Sequence, residues 1–564
     1  MKRAAVLLLA LAAPARADLL LVGVQVLTMD PGQPTAEALA IRGQRIAYVG
    51  DEAGARAAAG PQTRVIDGRG ELTVLPGLID AHAHLVGLGL SLRQLDLRGL
   101  SSPAAVAERV KEAARRAGPQ GWIVGRGWDQ NRFPGQSLPT HQVLDQAAPG
   151  RPVWLRRIDG HAGWANREAL RRAGIDRTTP DPPGGRIVRD AQGEPTGVLI
   201  DNAMDLIARV VPAPSAAELE EAILAGSAHV IRRGLVAVHE MGLSPEAVAA
   251  YRRLATQGRL PLRVYGYAQD PMPAPQVPTS PQYRAQLEAL ARRFGPPEHG
   301  AFFSLVGFKL FMDGALGSRG AALLEDYSDE PGHRGLLVSP PEHIEAMARW
   351  ALQHRYQIAT HAIGDRAVRL VLDAYERAGV GRAPWSRFRI EHAQVVAPQD
   401  RERFARLGVI ASVQPTHATS DMPWAGARLG PERLRHAYAW QALLQAGAQL
   451  CGGSDFPVEE ADPLHGLHAA LWRQSLQGQP PGGFQPDQRL SLGEALRLFT
   501  TDAAYAAFAE QRAGQIRPGR PADLTVVQGR LSLSGPAPED LGRRAVRLTI
   551  IDGQIVYDGL QGAN

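Results

Sequence analysis

Eight short apolar segments recur along the chain, and each is followed by a polar or glycine-containing turn and then by a helical pattern. Short apolar runs bounded by turns are typical of buried parallel strands. Eight strand-then-helix units predict an α/β fold of the (β/α)8 barrel type, in which functional side chains collect at the carboxyl ends of the strands. The predicted strands are residues 73–79, 234–238, 262–267, 305–311, 356–360, 388–390, 409–413 and 448–452.

The two ends of the chain differ from the centre, because residues 18–74 and 509–564 alternate β-like runs with turns. We expect both ends to form one small β-sandwich beside a barrel of residues 75–508. The gap between the first and second predicted strands is far longer than a crossover helix needs. It therefore predicts an inserted subdomain at about residues 86–231.

Residues 1–17 combine a basic start, an apolar stretch and a small-residue cleavage site, which is the pattern of a secretory signal peptide. Removing its three basic residues, Lys2, Arg3 and Arg16, reduces the formal net charge from +5 to +2. We therefore expect a periplasmic or secreted protein that binds no nucleic acid and has no membrane span after signal removal. A single cysteine, Cys451, excludes an intramolecular disulfide.

Metal-ligand residue types follow several of the predicted strands. Two histidines with His-x-His spacing lie on the same side of an extended strand, because side chains alternate with period two. Imidazole and carboxylate groups suit zinc and its neighbours in the periodic table. The strand-end residues are His82 and His84 after the first strand, His361 after the fifth, His392 after the sixth and Asp455 after the eighth.

Lysine is rare in this chain, since only three of the 62 basic residues are lysines. Lys309 lies within the fourth apolar strand, whereas Lys111 lies in a charged helical stretch and is predicted to be solvated. A lysine amine can be deprotonated or carbamylated and a guanidinium cannot. Lys309 is thus a candidate site residue, although a lysine beside a carboxylate or one that extends to the barrel mouth gives the same pattern.

Seven stretches in order along the chain carry a resemblance to the amidohydrolase superfamily and, within it, to the YtcJ-like branch that includes N-substituted formamide deformylases. The joint pattern is specific for superfamily and branch but not for substrate. The stretches are residues 75–84, 125–130, 159–166, 308–319, 360–365, 390–394 and 453–458.

The resemblance implies a site for one or two divalent metal ions, with zinc expected, at the barrel mouth. In this scheme His82, His84 and Asp455 bind one metal, and His361 and His392 bind the other. Lys309, carboxylated by CO2, bridges the two. A metal-bound hydroxide then attacks the scissile carbonyl of a small-molecule substrate, and Asp455 acts as general base.

Four further residues are weaker candidates for substrate binding. Trp128 and His161 lie in the insertion and either contact substrate or pack the insertion. Arg319 and Gln414 follow the fourth and seventh strands and either bind a substrate carboxylate or amide or serve elsewhere.

Carboxylates next to the candidate ligands are predicted to support them. Asp365 and Glu391 are interpreted as groups that orient histidines, and Glu240 as a supporting group behind the site. Other histidines are assigned to surface or packing positions: His417, His436, His465 and His468.

The leading hypothesis is an exported metal-dependent hydrolase of a carbon–nitrogen bond of the amide, N-acyl or N-formyl type. A mononuclear deaminase of the same superfamily is the first alternative, although Lys309 disfavours it. The second is a non-catalytic binding or regulatory protein on the same barrel, which the complete ligand set disfavours. A homodimer is compatible with each of these three hypotheses.

Overall fold

The computed structural model describes residues 16–116, 121–270, 280–533, 535 and 537–561. Only the last two residues of the predicted signal peptide belong to this set, so that prediction lies outside the described residues. No helix in the described ranges has both the length and the apolar character needed to cross a membrane.

Eight parallel strands, each hydrogen-bonded to the next along the chain, form the central sheet and confirm the predicted barrel. The sheet closes at the carboxyl end of the strands, where the Asp455 amide donates to the His82 carbonyl (2.8 Å) and the His84 amide to the Phe456 carbonyl (2.9 Å). Barrel strands 1 to 8 are Leu78–Ala83, Leu235–Leu243, Arg263–Gln269, Phe303–Phe311, Gln357–Ala362, Arg389–His392, Ile410–Val413 and Gln449–Gly452.

Helices surround this sheet with their apolar faces turned toward it. Asp365–Ala378 shows why such a segment is helical: Val368, Val371, Leu372 and Tyr375 recur at helical spacing and are all buried. The helices outside the insertion and the terminal sheet are Leu85–Ser91, Ala216–Ile231, Pro245–Thr256, Pro281–Phe294, Pro341–His354, Asp365–Ala378, Pro398–Leu407, Pro415–Asp421, Ala425–Leu434, Trp440–Gln445, Pro463–Trp472, Leu492–Leu498 and Thr501–Ala506.

The first barrel strand lies further along the chain than the predicted 73–79. The apolar run divides at Gly77: Arg64–Pro76 pairs with Leu524–Gln528 in the terminal sheet, and Leu78–Ala83 enters the barrel. A Cβ atom at Gly77 would lie 2.4 Å from a methyl group of Val236, so only glycine fits where the chain passes between the two sheets. Residues 72–76 before Gly77 and residues 78–83 after it are all buried, which is why the pattern alone did not separate them.

Both ends of the chain contribute strands to one continuous sheet, as predicted. Its strands share an apolar cluster that includes Leu21, Val74, Val526 and Ile550. In sheet order the strands are Gln554–Asp558, Val546–Ile551, Leu524–Gln528, Arg64–Pro76, Leu19–Leu27, Ala38–Arg42 and Arg45–Gly50, with Thr35–Ala36 added beside Leu19–Leu27 and the helix Glu52–Ala57 following Arg45–Gly50.

The insertion after barrel strand 1 is a six-stranded sheet with its own apolar cluster. In sheet order its strands are Gly185–Arg189, Pro195–Asp201, Ala162–Ala165, Val153–Arg157, Ile123–Trp128 and Leu95–Asp96. Its helices are Pro103–Arg116, Gln142–Ala147, Arg167–Ala173 and Asp205–Ala208.

The helix Ala216–Ile231, which the prediction of 86–231 placed in the insertion, packs on the barrel instead. Its buried residues join the main core, and it lies against Leu85–Ser91 so closely that a Cβ at Gly89 would come within 1.9 Å of the Ala222 carbonyl oxygen. This helix is therefore the crossover that leads into barrel strand 2.

A buried ion pair joins the terminal sheet to the barrel. Arg263, at the start of barrel strand 3, donates two hydrogen bonds to Asp523 (2.6 and 3.0 Å) and one to Asp552. Asp523→Asn removes one of the two charges that compensate a buried guanidinium, the one that accepts two of its hydrogen bonds, so we expect the free energy of unfolding to fall by about 3 kcal/mol. Thermal and urea unfolding would measure this change in the free energy of unfolding.

The matched control is Asp540→Asn, because Asp540 pairs with Arg544 on the surface with 65% of its side chain exposed. Its unfolding should change by less than about 1 kcal/mol. Equal stability of the two variants would show that the Arg263 pair does not hold the sheets together.

Candidate active site

The predicted ligands converge at the carboxyl ends of the barrel strands, and nearly all are buried. Asp455 Oδ1 lies 3.1 Å from His84 Nε2 and 3.6 Å from His82 Nε2. Lys309 Nζ lies 3.4 Å from His82 Nε2. His82, His392 and Asp455 each offer one ligand atom, and these three atoms lie within 4.8 Å of one another.

Three of the histidines are held in the same tautomer by the hydrogen bond of their Nδ1 atom. His82 donates to Glu391 (2.5 Å), His84 to the Met241 carbonyl (3.0 Å) and His392 to Gln414 Oε1 (2.7 Å). A carboxylate or carbonyl oxygen can only accept, so the proton sits on Nδ1 and the Nε2 lone pair is free. This is how metal-binding histidines are oriented in proteins.

His361 lies beside this group but presents its other nitrogen. Its ring centroid is 4.6 Å from that of His392, and its Nε2 donates to the Gly314 carbonyl (3.2 Å). The Nδ1 lone pair of His361 is therefore the one available to a ligand.

The donor set fits a divalent cation. Asp455 Oδ1 is buried and has no hydrogen-bond partner among the described residues. Burial acts to raise the pKa of the Asp455 carboxyl, but the protonated forms of His82 and His84, whose charge a bound cation would replace, hold this pKa well below its ordinary value. An ionised, unpartnered oxygen between imidazole lone pairs is the environment that zinc and its neighbours favour.

Burial also keeps the nitrogen ligands neutral. It lowers the pKa of His82 to about 4, with the Lys309 charge as the second cause, and lowers the pKa of His392 well below its ordinary value. It lowers the pKa of Lys309 to about 8. Neutral imidazoles are the form that binds metal, and a lysine near its pKa offers a fraction of neutral amine at neutral pH.

Two site residues have strained backbones. Asp455 and His392 adopt positive φ angles of 61° and 73°. Such conformations cost about 1–3 kcal/mol each and persist only where the surroundings impose them. At both residues the backbone turns at the end of a strand, which directs a ligand side chain into the site.

A buried arginine lies beneath the ligands. Arg389, on barrel strand 6, donates two hydrogen bonds to Glu391 (2.7 and 3.0 Å), the carboxylate that accepts from His82. It also donates to the Ala81 carbonyl (2.6 Å) and contacts His239 Nδ1 (2.7 Å). Burial opposes ionisation of Glu391, but Arg389 and His82 hold its pKa well below the ordinary value.

Two cavities that share lining residues open onto the predicted ligands. Cavity A, of about 490 Å³, is lined by residues that include Arg157, His417 and Asp421. Cavity B, of about 600 Å³, is lined by residues that include His82, Lys309 and Arg126. Both are lined by Asp159, His161, His361, His392, Asp455 and Val458.

Of the four weaker candidates, the structure places only His161 at the cavities. The insertion carries His161 over the barrel mouth, with its ring centroid 4.8 Å from that of His361 and its Nδ1 hydrogen-bonded to Asp201 (2.8 Å). Trp128 is fully buried in the insertion core and donates to the Leu155 carbonyl, which is the packing alternative that the sequence left open.

Arg319 and Gln414 do not line either cavity. Arg319 is paired with Asp329 and Glu330. Gln414 accepts from His392 and donates to the Ser412 carbonyl, so it orients a ligand.

The supporting carboxylates differ from the predicted pairs. Asp365 accepts from the amides of Leu324 and Arg366, and it shapes a loop instead of orienting a histidine. Glu391 orients His82 rather than its neighbour His392. Glu240 accepts from the first amides of the helix that follows His84.

His417, assigned from sequence to surface or packing, lies in the site. Its ring stacks 5.9 Å from that of His392, and its Nε2 is 3.7 Å from Asp455 Oδ2. His417 follows barrel strand 7 by a short helix, and its position near a strand end was the only signal in the sequence.

The comparisons with known proteins agree with this geometry. The sequence matches the amidohydrolase family model over residues 64–557. The chain belongs to the amidohydrolase family.

Among relatives of this amidohydrolase, the Bacillus subtilis (strain 168) protein YtcJ, an amidohydrolase by name, is 36% identical over 507 residues, which cover 88% of this chain and 91% of YtcJ. The N-substituted formamide deformylase of Arthrobacter pascens is 28% identical over 560 residues, which cover 96% of this chain and 98% of the relative. The solved structure of a metal-dependent hydrolase from Pyrococcus furiosus superposes with a TM-score of 0.69 at 30% identity, covering 91% of this chain and 99% of that one.

Glu391→Gln tests whether the buried carboxylate orients His82. The substitution removes the charge-assisted bond to His82 and leaves Arg389 without a counter-ion. We expect metal affinity to fall by about 10- to 100-fold, measured by competition with a chromogenic chelator.

Glu510→Gln is the matched control, because Glu510 pairs with Arg387 outside the cavities. Its metal affinity should equal that of the unmodified protein. An unchanged affinity in Glu391→Gln would contradict the orienting role.

Proposed function

We propose that this amidohydrolase is an exported metal-dependent enzyme that hydrolyses a carbon–nitrogen bond of the amide, N-formyl or N-acyl type. The observation that carries the proposal is the set of His82, His84 and His392, each with its Nδ1 proton committed and its Nε2 lone pair free, around the unpartnered Asp455 oxygen. The name of the formamide deformylase relative supports the bond type.

In this proposal, His82, His84 and Asp455 hold one divalent ion, and His361 and His392 hold a second. Zinc suits this set of nitrogen and oxygen donors. A bound ion of this kind supplies an acidified water and polarises a carbonyl oxygen.

Lys309 is proposed to join the two groups of ligands as a carbamate. The neutral amine adds to CO2 and loses a proton, which gives an anionic group with two oxygens. Burial lowers the pKa of Lys309 to about 8 and so keeps the reactive neutral amine accessible. Neither arginine nor a shorter side chain could replace it in this role.

Asp455 is proposed as the general base. Its carboxylate is ionised at neutral pH, because its pKa lies well below the ordinary value. It is therefore ready to accept a proton from the attacking water and to return that proton to the departing amine.

A one-metal deaminase remains the second candidate, because one set of atoms, from His82, His392 and Asp455, already forms a compact cluster. Deamination releases ammonia, whereas hydrolysis of a formamide releases formate and an amine. Product analysis separates the two reactions.

Asp455→Asn should lower kcat/KM for an N-substituted formamide by about 10³-fold, because it removes the proton acceptor. Formate release would be measured at saturating zinc, with the bound metal quantified in the same samples. The expected result is lost activity with metal retained.

Asp190→Asn is the control, because Asp190 is an exposed turn carboxylate in the insertion that accepts from the backbone amides of Gln192 and Glu194. It should keep full activity. Full activity in Asp455→Asn would exclude Asp455 as the base, and absence of formate release by the unmodified protein would exclude this substrate class.

A further inference from the structure

Two arginines of the insertion line cavity B, which the proposed metal ligands also line. Arg126 and Arg156 lie on adjacent parallel strands at paired register positions. Their guanidinium groups converge, because a Cβ at Gly160 would lie 3.4 Å from Arg126 Nη2 and 3.5 Å from Arg156 Nη2.

Among the described residues, neither guanidinium makes a salt bridge or a hydrogen bond to a carboxylate, although Asp159 acts on both through its charge. Within the described part of the chain, Arg126 donates to the Ile158 carbonyl (2.8 Å) and Arg156 to the Gly160 carbonyl (3.4 Å), and neither forms an ion pair with a carboxylate. The buried Nε of Arg126 has no acceptor. Most other arginines around the site are paired, as Arg157 is with Asp129 and Asp159.

The carboxylates that line cavity B have other partners or functions. Asp159 is held by Arg157, and Asp201 accepts from His161. Burial raises the pKa of Asp205, and Arg209 and then Arg156 act against that effect. Asp159 and Asp205 act on the arginine pair without forming a salt bridge to it, so the guanidinium donors are left for something that enters the cavity.

The electrostatics of Arg126 agree with this arrangement. Burial, and then the neighbouring Arg156, lower the pKa of its guanidinium to about 10, so it stays protonated at neutral pH. The Asp455 carboxylate is among the charges that act on it, and Asp455 lines the same cavity as the two arginines. A partly buried cation without a counter-ion is costly, and a bound anion relieves that cost.

We propose that Arg126 and Arg156 bind a carboxylate of the substrate, so that the natural substrate is an amide bearing a carboxylate near its scissile bond, as in an N-acylated amino acid. This inference deepens the proposed function and rests on it. Two planar guanidiniums suit a carboxylate because each can donate two parallel hydrogen bonds. The role that the sequence predicted for Arg319 thus belongs to residues of the insertion.

The test is equilibrium binding by calorimetry of N-acetylphenylalanine and its uncharged carboxamide to metal-loaded Asp455→Asn protein, in which neither compound is hydrolysed. This protein, with both arginines intact, should bind the carboxylate at least about tenfold more tightly than the carboxamide. Arg126→Gln and Arg156→Gln should each remove most of that preference while leaving the weak binding of the carboxamide in place.

Arg171→Gln is the control, since Arg171 is an exposed arginine of the same insertion that pairs with Glu168. It should keep the full preference for the carboxylate. Circular dichroism and metal content verify that each variant is folded, and the more exposed Arg156 provides the test if Arg126→Gln does not fold.

Equal binding of carboxylate and carboxamide, no binding of either, or an unchanged preference in both cavity variants would overturn the proposal. Tighter, arginine-dependent binding of phenyl phosphate would overturn the carboxylate assignment. Selective carboxylate binding, when the unmodified protein hydrolyses no amide, would overturn the proposed reaction and leave the anion site intact, so the two failures are distinguishable.

Discussion

The buried ion pair between Arg389 and Glu391 is the interaction on which the rest of the site depends. Burying either charge alone would cost several kcal/mol, so each residue requires the other. Arg389 also contacts Ala81, His239, Tyr267 and Ser412, which lie on barrel strands 1, 2, 3 and 7. One guanidinium thereby connects five strands beneath the ligands, and Glu391 transmits that fixed position to His82.

The architecture was predictable because it follows from local periodicity. Eight apolar runs with intervening helical patterns indicated the barrel, and the composition of both ends indicated a shared sheet. The boundary at Gly77 was not predictable, because residues on both sides are equally apolar and only the pairing of Arg64–Pro76 with Leu524–Gln528 separates them. Pairing between segments far apart in the chain leaves no local signal.

The candidate ligands were predictable for a similar reason. A parallel barrel brings all strand ends to one face, so residue type and position at a strand end suffice to bring His82, His361 and Asp455 together. The groups that orient these ligands could not be predicted from their position next to a ligand in the sequence. Glu391 is next to His392 in sequence but orients His82 on barrel strand 1, so adjacency in the sequence does not identify the partner.

The residues above the ligands were hardest to foresee. His161, Arg126 and Arg156 come from the insertion, and their positions depend on how its sheet lies over the barrel mouth. Trp128 shares a motif with Arg126, yet it points into the apolar core of the insertion, whereas Arg126 faces the cavity. A motif identifies a segment as important without separating its packing residues from its binding residues.

The central claim is that the strand ends bind a pair of divalent ions bridged through Lys309. Elemental analysis of protein purified without chelator, with bicarbonate present, tests it most directly, and Lys111→Ala, at a surface lysine paired with Glu108, is the control. The account predicts about two ions per chain in the unmodified and control proteins and one or none in Lys309→Ala. No bound metal after supplementation, or a metal content unaffected by Lys309→Ala, would contradict it.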